Sequence, residues 1–171
     1  EAKSLVQPLF KNDCWSIDFM TDVLVNGQKF RTLNVLDDYN RKALMIAPSY
    51  SLPSVRVTAL IDQLAETTGY PRMIRVDNGP EFISHGFISW AKSKGIKLLH
   101  IQPGKPAQNG FIERFNRTYR EAILDMNLFN SLAEVESITK EWLEIYNNKR
   151  PHESLAGLPP SEFERRRQKV A

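Results

Sequence analysis

Two short stretches concentrate the residues able to do chemistry: Val76-Asp77-Asn78-Gly79-Pro80-Glu81-Phe82 and Gln108-Asn109-Gly110-Phe111-Ile112-Glu113-Arg114-Phe115-Asn116. Thirty-five residues lie between Asp77 and Glu113, and a third acid, Asp18, stands upstream inside the apolar run Trp15-Ser16-Ile17-Asp18-Phe19. Carboxylates are the hard oxygen donors that Mg²⁺ takes while keeping several waters, so a few suffice. Two such ions about 3.5–4 Å apart serve both the attacking and the leaving oxygen of an in-line displacement at phosphorus. On this reading Asp18 bridges two ions, Mg²⁺ or Mn²⁺, with Asp77 serving one and Glu113 the other. The substrate would be a nucleic-acid phosphodiester.

The region after Glu113 adds a second property. At about 100° per residue on a helix, Arg117 and Arg120 follow Glu113 along nearly the same face, while Ile112, Phe115, Tyr119, Ala122, Ile123 and Met126 form an apolar side. One helix then offers an acid to a metal and two cations to phosphates. Arg114 is less well aligned and faces solvent. Taken singly, each feature has a plainer reading. Asp77-Asn78-Gly79-Pro80 is a good turn, and Glu113 with its arginines is an ordinary solvated face. Asp18 is harder to dismiss, because an acid within an apolar strand is expensive to bury without a partner.

The elements that must position these residues follow from the pattern. Residues 14–25 read as a strand, Asn26-Gly27 as a two-residue hairpin turn, and 28–36 as a second strand. Asp37-Asp38-Tyr39-Asn40 is a turn into a third strand over 42–48; its acids compete with Asp18 but suit a turn for local reasons. Val57, Leu60, Ile61, Leu64 and Ala65 recur at helical spacing between Pro53 and Gly69. A short strand over 73–76 ends at Asp77, a helix over Phe87, Ile88 and Ala91 stops at Gly95, and residues 96–101 form a fifth strand. After the loop 102–106 come a helix from near Asn109 and a last one opened by the capping box Ser131-x-x-Glu134, burying Val135, Ile138, Trp142 and Ile145. Residues 151–171 read as an irregular tail. The fold class expected is α/β: a mixed five-stranded sheet, three antiparallel strands plus two parallel, flanked by helices. A right-handed crossover brings the fourth strand beside the first, and Asp77 beside Asp18.

Composition sets bounds. The chain has 171 residues, a net charge of +3 and 42% hydrophobic residues, which suits one domain, 1–171, with a core over about 10–150. Arg165-Arg166-Arg167 and Lys169 make the C-terminus basic. Cys14 is the only cysteine, so no internal disulfide forms and a multi-cysteine zinc site is excluded. No apolar stretch approaches the ~20 residues a transmembrane helix needs, and the expected location is cytoplasmic. The start, Glu1-Ala2-Lys3-Ser4, reads as a cut from a longer polypeptide. Glu81 reads as a surface acid or a loop-steering contact, His100 as a hydrogen-bonded structural histidine, and Trp90 and Trp142 as core.

These residues carry a resemblance. The chain resembles the catalytic core of the retroviral-integrase-like transposases, the D,D(35)E group, and within it bacterial insertion-sequence transposases. The motifs are Trp15-x-x-Asp18-Phe19, Asn26-Gly27, Asp77-Asn78-Gly79-Pro80-Glu81-Phe82, Gln108-Asn109-Gly110-Phe111-x-Glu113-Arg114-Phe115-Asn116 and Tyr146-Asn147-x-x-Arg150-Pro151-His152. The resemblance implies an RNase H-like fold with Asp18, Asp77 and Glu113 as catalytic, metal-binding triad. It also implies nicking at transposon ends and attack of the exposed 3′-OH groups on target DNA, by a dimer or larger assembly. By the same likeness residues 103–110 match a mobile loop, and Asn109, Asn116, Arg117 and Arg120, with Lys105 in the loop, match DNA-binding positions. His152 is marked by it without a chemical role. Nothing resembles the helix-turn-helix that reads transposon ends. A ribonuclease H-like hydrolase of RNA–DNA hybrids would use a similar metal site; a domesticated DNA-binding module would not need carboxylates, which repel phosphate.

Overall fold

The computed structural model describes residues 7–170, so the chain start read above as a cut lies outside the described residues. Strands β1 (Cys14–Val23), β2 (Lys29–Asp37) and β3 (Ala43–Ser49) form the antiparallel meander expected from the sequence. The first hairpin closes with Leu24 N–H donating to Gln28 O at 2.9 Å, which makes a three-residue loop rather than two. Gly27 sits at φ +83°, a left-handed conformation that glycine reaches without a steric penalty. Helix α1 (Ser54–Thr68) starts after Pro53 and ends at Gly69, as the spacing predicts. Strand β4 (Met73–Val76) then returns parallel to β1, and β5 (Lys97–His100) pairs parallel with β4, giving the order β3-β2-β1-β4-β5. The first strand is thus the centre of the sheet.

Because side chains alternate along a strand, β1 and β2 feed two separate cores. Trp15, Ile17, Leu33 and Val35 point to one face, where α1 and α3 (His85–Ser93) bring Val57, Ile61, Phe87 and Ala91. Met20, Phe30 and Leu36 point to the other, against Ile112, Phe115 and Tyr119 of α4 (Gly110–Tyr119) and Val135 and Tyr146 of α5 (Leu132–Asn148). Asp18 shares the parity of Met20, so the apolar pattern that builds the sheet also aims this acid at α4. α5 opens at the expected cap: Ser131 Oγ accepts from Glu134 N–H at 3.2 Å, while the Glu134 carboxylate reaches one residue beyond a standard capping box, to Asn130 N–H at 2.7 Å.

Three expectations are corrected. The α4 helix does not run unbroken to Met126; Arg120–Leu124 forms a π-type turn, and Met126 is 74% exposed. A π turn adds a residue to the repeat and rotates everything beyond it off the apolar stripe. Ile145 is exposed, and its neighbour Tyr146 takes the buried position. Residues 151–171 are not an irregular tail: α6 (Pro160–Gln168) begins with proline at a first-turn position, where the missing N–H costs nothing. Its Glu164 is buried and accepts from Lys11 Nζ at 2.6 Å and Asn40 Nδ2 at 3.4 Å, while Phe163 packs on Tyr39. A charged run hid an anchored amphipathic turn.

Candidate active site

Asp18, at the middle of the central strand, is held at both oxygens. Oδ1 accepts from Phe19 N–H at 2.9 Å, and Oδ2 accepts from Asn116 Nδ2 at 2.9 Å. Asn116 Oδ1 in turn accepts from Asn34 Nδ2 at 2.8 Å. Asn34 is Asp18's direct partner in the β1–β2 register and is fully buried. A relay of two carboxamides therefore fixes the acid between sheet and α4. Burial, joined by the negative charges of Asp77 and Glu113, outweighs these donors and pushes the Asp18 carboxyl up to about 6. The Asp18 carboxyl thus feels the negative charge of both Asp77 and Glu113.

Asp77 follows the last residue of β4. Its Oδ1 accepts from Gly79 N–H at 2.7 Å, the side-chain turn expected of Asp-Asn-Gly-Pro. Asn78 Nδ2 donates to Ile101 O at 2.7 Å and ties the turn to the segment after β5. A Cβ on Gly79 would lie 2.9 Å from Asp77 Oδ1, so only glycine allows this approach. Pro80 then opens α2 (Pro80–Ile83), whose Phe82 stacks on Phe19 at 4.8 Å. Glu81 is engaged elsewhere: Arg31 Nη1 meets it at 2.5 Å while the guanidinium lies over the Phe19 ring at 4.0 Å. Burial raises the Glu81 carboxyl, but the Arg31 contacts prevail and hold it below its ordinary value. Glu81 is thus committed to an ion pair with β2. His100 Nε2 lies 3.0 Å from Phe82 O, a carbonyl to which it can only donate, and the contact is structural.

Glu113 lies in the first turn of α4, exposed to solvent. Arg117 is exposed along the same helix, and Lys105 is exposed in the loop before it. Arg120 is partly occupied: it donates to Thr21 O at 3.0 Å and lies 3.7 Å from both Asp22 and Asp125. Asn109 departs from a surface DNA contact. It is 3% exposed, with its carboxamide oxygen buried and without a partner among the described residues. Asn116 commits its amide to Asp18 and Asn34.

The set can be tested against a divalent cation. Three carboxylates supply hard oxygen donors, and an acid lifted by burial and by its neighbours' negative charge is what a bound cation relieves. Donor type and charge fit. Spacing is looser than the sequence led one to expect: among the described residues no three acidic, histidine or cysteine side chains stand close enough to ligate one ion.

Sequence reasoning missed a buried charge network next door. Asp37 and Asp38, read as turn acids, are fully buried. Burial raises both carboxyls to about 6 despite their donors. Asp38 Oδ2 accepts from Ser16 Oγ at 2.8 Å and lies 4.0 Å from Arg75 Nε, and Arg41 donates to the Asp38 carbonyl. Arg75 also donates to Gln108 O at 3.1 Å, so the network reaches from β4 to the loop that leads into α4. The only signal was the even-numbered parity of Ser16 and Asp18, which directs polar groups to this face. Cys14 is buried and its thiol is pushed up to about 12, first by burial and then by Asp38.

Residues 10–106 match the family described as Integrase core domain, and residues 94–160 match a second family of the same description. The chain is 40% identical over 163 residues to a 39.2 kDa protein of insertion element IS476 from Xanthomonas euvesicatoria, covering 95% of this chain and 47% of that one. It is 39% identical over 163 residues to a 31.7 kDa protein of insertion element IS407 from Burkholderia multivorans, covering 95% and 59%. The chain thus spans about half the length of these relatives. Among solved structures it is similar to the HTLV-2 integrase catalytic core domain in complex with magnesium, with TM-score 0.67 and 18% identity over 91% of this chain and 98% of that one. The mixed sheet, with β1 central and helices on both faces, is the RNase H-like fold of such cores. With more than half its length matching, the chain belongs to the Integrase core domain family.

Proposed function

We propose that this chain is the catalytic core of an insertion-sequence transposase, cleaving DNA at transposon ends and joining the 3′-OH ends to target DNA. The observation that supports it best is Asp18 itself, buried on the central strand, tied to α4 through Asn116, and raised first by burial and then by the charges of Asp77 and Glu113. Asp18, Asp77 and Glu113 would hold Mg²⁺ or Mn²⁺, and when bound the ions supply charge stabilisation at the entering and leaving oxygens of an in-line displacement. The rest is positioning. Asn116 and Asn34 orient Asp18, the Gly79 N–H orients Asp77, and α4 presents Glu113 to solvent where a strand would lie. Exposed Lys105 and Arg117, with Arg120 beyond them, contact backbone phosphates. Asn109 acts from beneath the loop and Asn116 through Asp18.

In the first step water attacks phosphorus and the 3′-oxygen leaves as a hydroxyl; in the second that hydroxyl attacks a target phosphodiester and the target's own 3′-oxygen leaves. Two ends must be joined together, so the active form is a dimer or larger assembly. The test is Asp77→Asn. Joining of a labelled end to plasmid should vanish while the thermal melt and DNA binding persist, and a variant that joins normally overturns the assignment.

A further inference from the structure

On the side of α4 away from the acids lies a cleft of about 570 Å³, whose lining includes Arg41, Arg114, Arg150, Phe111, Tyr146 and His152. Among the described residues Glu153 is the only acid along it. Arg31, Arg72, Arg75, Arg120 and Arg166 each find a carboxylate elsewhere in the protein. Arg41, Arg114 and Arg150 do not: among the described residues none has a carboxylate oxygen within 4.0 Å.

Arg41 makes the case sharp. It is 9% exposed, lies over the Phe111 ring at 3.7 Å, and its guanidinium donates to the Asp38 carbonyl. Burying a cation is expensive, and Asp38 and Asp37 attract it only at a distance. Arg114 stands near enough to oppose it: burial first, with Arg114 adding repulsion, lowers the Arg41 guanidinium from its ordinary value. His152 stands edge-on to Tyr146 at 4.9 Å, and its Nε2 is buried with no hydrogen-bond partner among the described residues. Burial, then Arg150 and Arg41, hold the imidazole below its ordinary value. Like charges, one of them nine-tenths buried, therefore converge on an open space together with an orphaned ring nitrogen. Such an arrangement is stabilised by an anion.

We propose that this cleft is a phosphate subsite that holds a backbone phosphodiester of the DNA lying along α4. Planar guanidinium forks match phosphate oxygens bidentately, which an ammonium does not. Arg114 follows Glu113 directly in α4 and projects about 100° round the helix from it, so one strand crossing the start of α4 meets both faces. The inference rests on the transposase reading only for the source of the phosphate; the anion site itself stands on the cleft.

The test uses the whole chain, its Arg114→Ala/Arg150→Ala double variant and the corresponding double lysine variant; both arginines are exposed, and thermal melts check that the fold is kept. The His152 imidazole signals are followed by NMR during addition of inorganic phosphate or of a short DNA duplex. Duplex affinity is measured by fluorescence anisotropy across a range of salt. Both additions should move the His152 signals in the unmodified protein and neither in the alanine variant. Loss of this one phosphate contact should make the slope of log K against log salt shallower by about 0.9, with the lysine variant intermediate. An unchanged slope, or His152 signals that ignore both additions, overturns the site. Movement by phosphate but not by duplex overturns the DNA assignment in favour of a free anion. Failure of the unmodified protein to join DNA would sink the transposase reading while leaving the His152 readout intact.

Discussion

Asn116 Nδ2 donates to Asp18 Oδ2 at 2.9 Å, a bond that ties α4 to the central strand at one of the acids proposed to hold a metal. The bond also lowers the Asp18 carboxyl, opposing burial and the two neighbouring acids. Removing it with Asn116→Ala leaves Asp18 less well oriented and more readily protonated. Groups that orient metal ligands typically contribute 10–100-fold in affinity, so Mn²⁺ binding should weaken by about 10-fold or more. Calorimetric titration with Mn²⁺ checks it; unchanged affinity removes Asn116 from the site.

Gly79 should tolerate no side chain. Its φ is ordinary, so backbone strain is absent, but the added methyl of Gly79→Ala would meet Asp77 Oδ1 at 2.9 Å. The carboxylate must turn away or the loop must shift. Joining activity should fall at least 10-fold, the scale of misplacing a reacting group by about an ångström. The melting temperature should move little, since the turn is partly exposed. A large loss of stability with activity retained would contradict this account.

Stability should rise as pH falls from 7 towards 5. Asp18, Asp37 and Asp38 all have folded-state carboxyls near 6 against an ordinary 3.8, so in this window the folded chain binds more protons than the unfolded one. Their stabilising contribution is complete below about pH 4 and is lost as pH rises through about 6. His152, held low by burial, works in the opposite sense over part of the same range. Three raised acids against one histidine and the two lowered glutamates, Glu81 and Glu164, leave a net gain on the order of 1–3 kcal/mol. Urea unfolding at pH 7, 6 and 5 measures it, and a midpoint that falls on acidification refutes the sign.

Glu164 anchors α6 to the sheet end. It is 8% exposed; burial raises its carboxyl, but Lys11 and Lys42 prevail and hold it below its ordinary value. Glu164→Ala leaves Lys11 and Lys42 without their partner, and because both lysines reach solvent the loss should be about 2 kcal/mol rather than that of a fully buried pair. Urea denaturation of that variant, with Lys11→Met as a control for the pair, tests it. Wild-type stability would mean that α6 is held by Phe163 and Tyr39 alone.

By itself the sequence determined most of the elements and singled out the candidate acids. β-Branched and aromatic residues over 14–25 marked the first strand, Asn26-Gly27 and Gly69 marked chain reversals, and Ser131-x-x-Glu134 opened α5 where expected. Such signals are local: they depend on backbone sterics and on side-chain period, and both can be read along a line. Tertiary structure alone decided what lies across the space between elements. The pairing of Glu81 with Arg31, the relay from Asn34 through Asn116 to Asp18, the burial of Asp37, Asp38 and Asn109, and the docking of Glu164 each join residues far apart in the chain. A polar residue in a turn and one in a buried network have the same local sequence; only desolvation and the partner that answers it tell them apart, and neither exists until the sheet has closed.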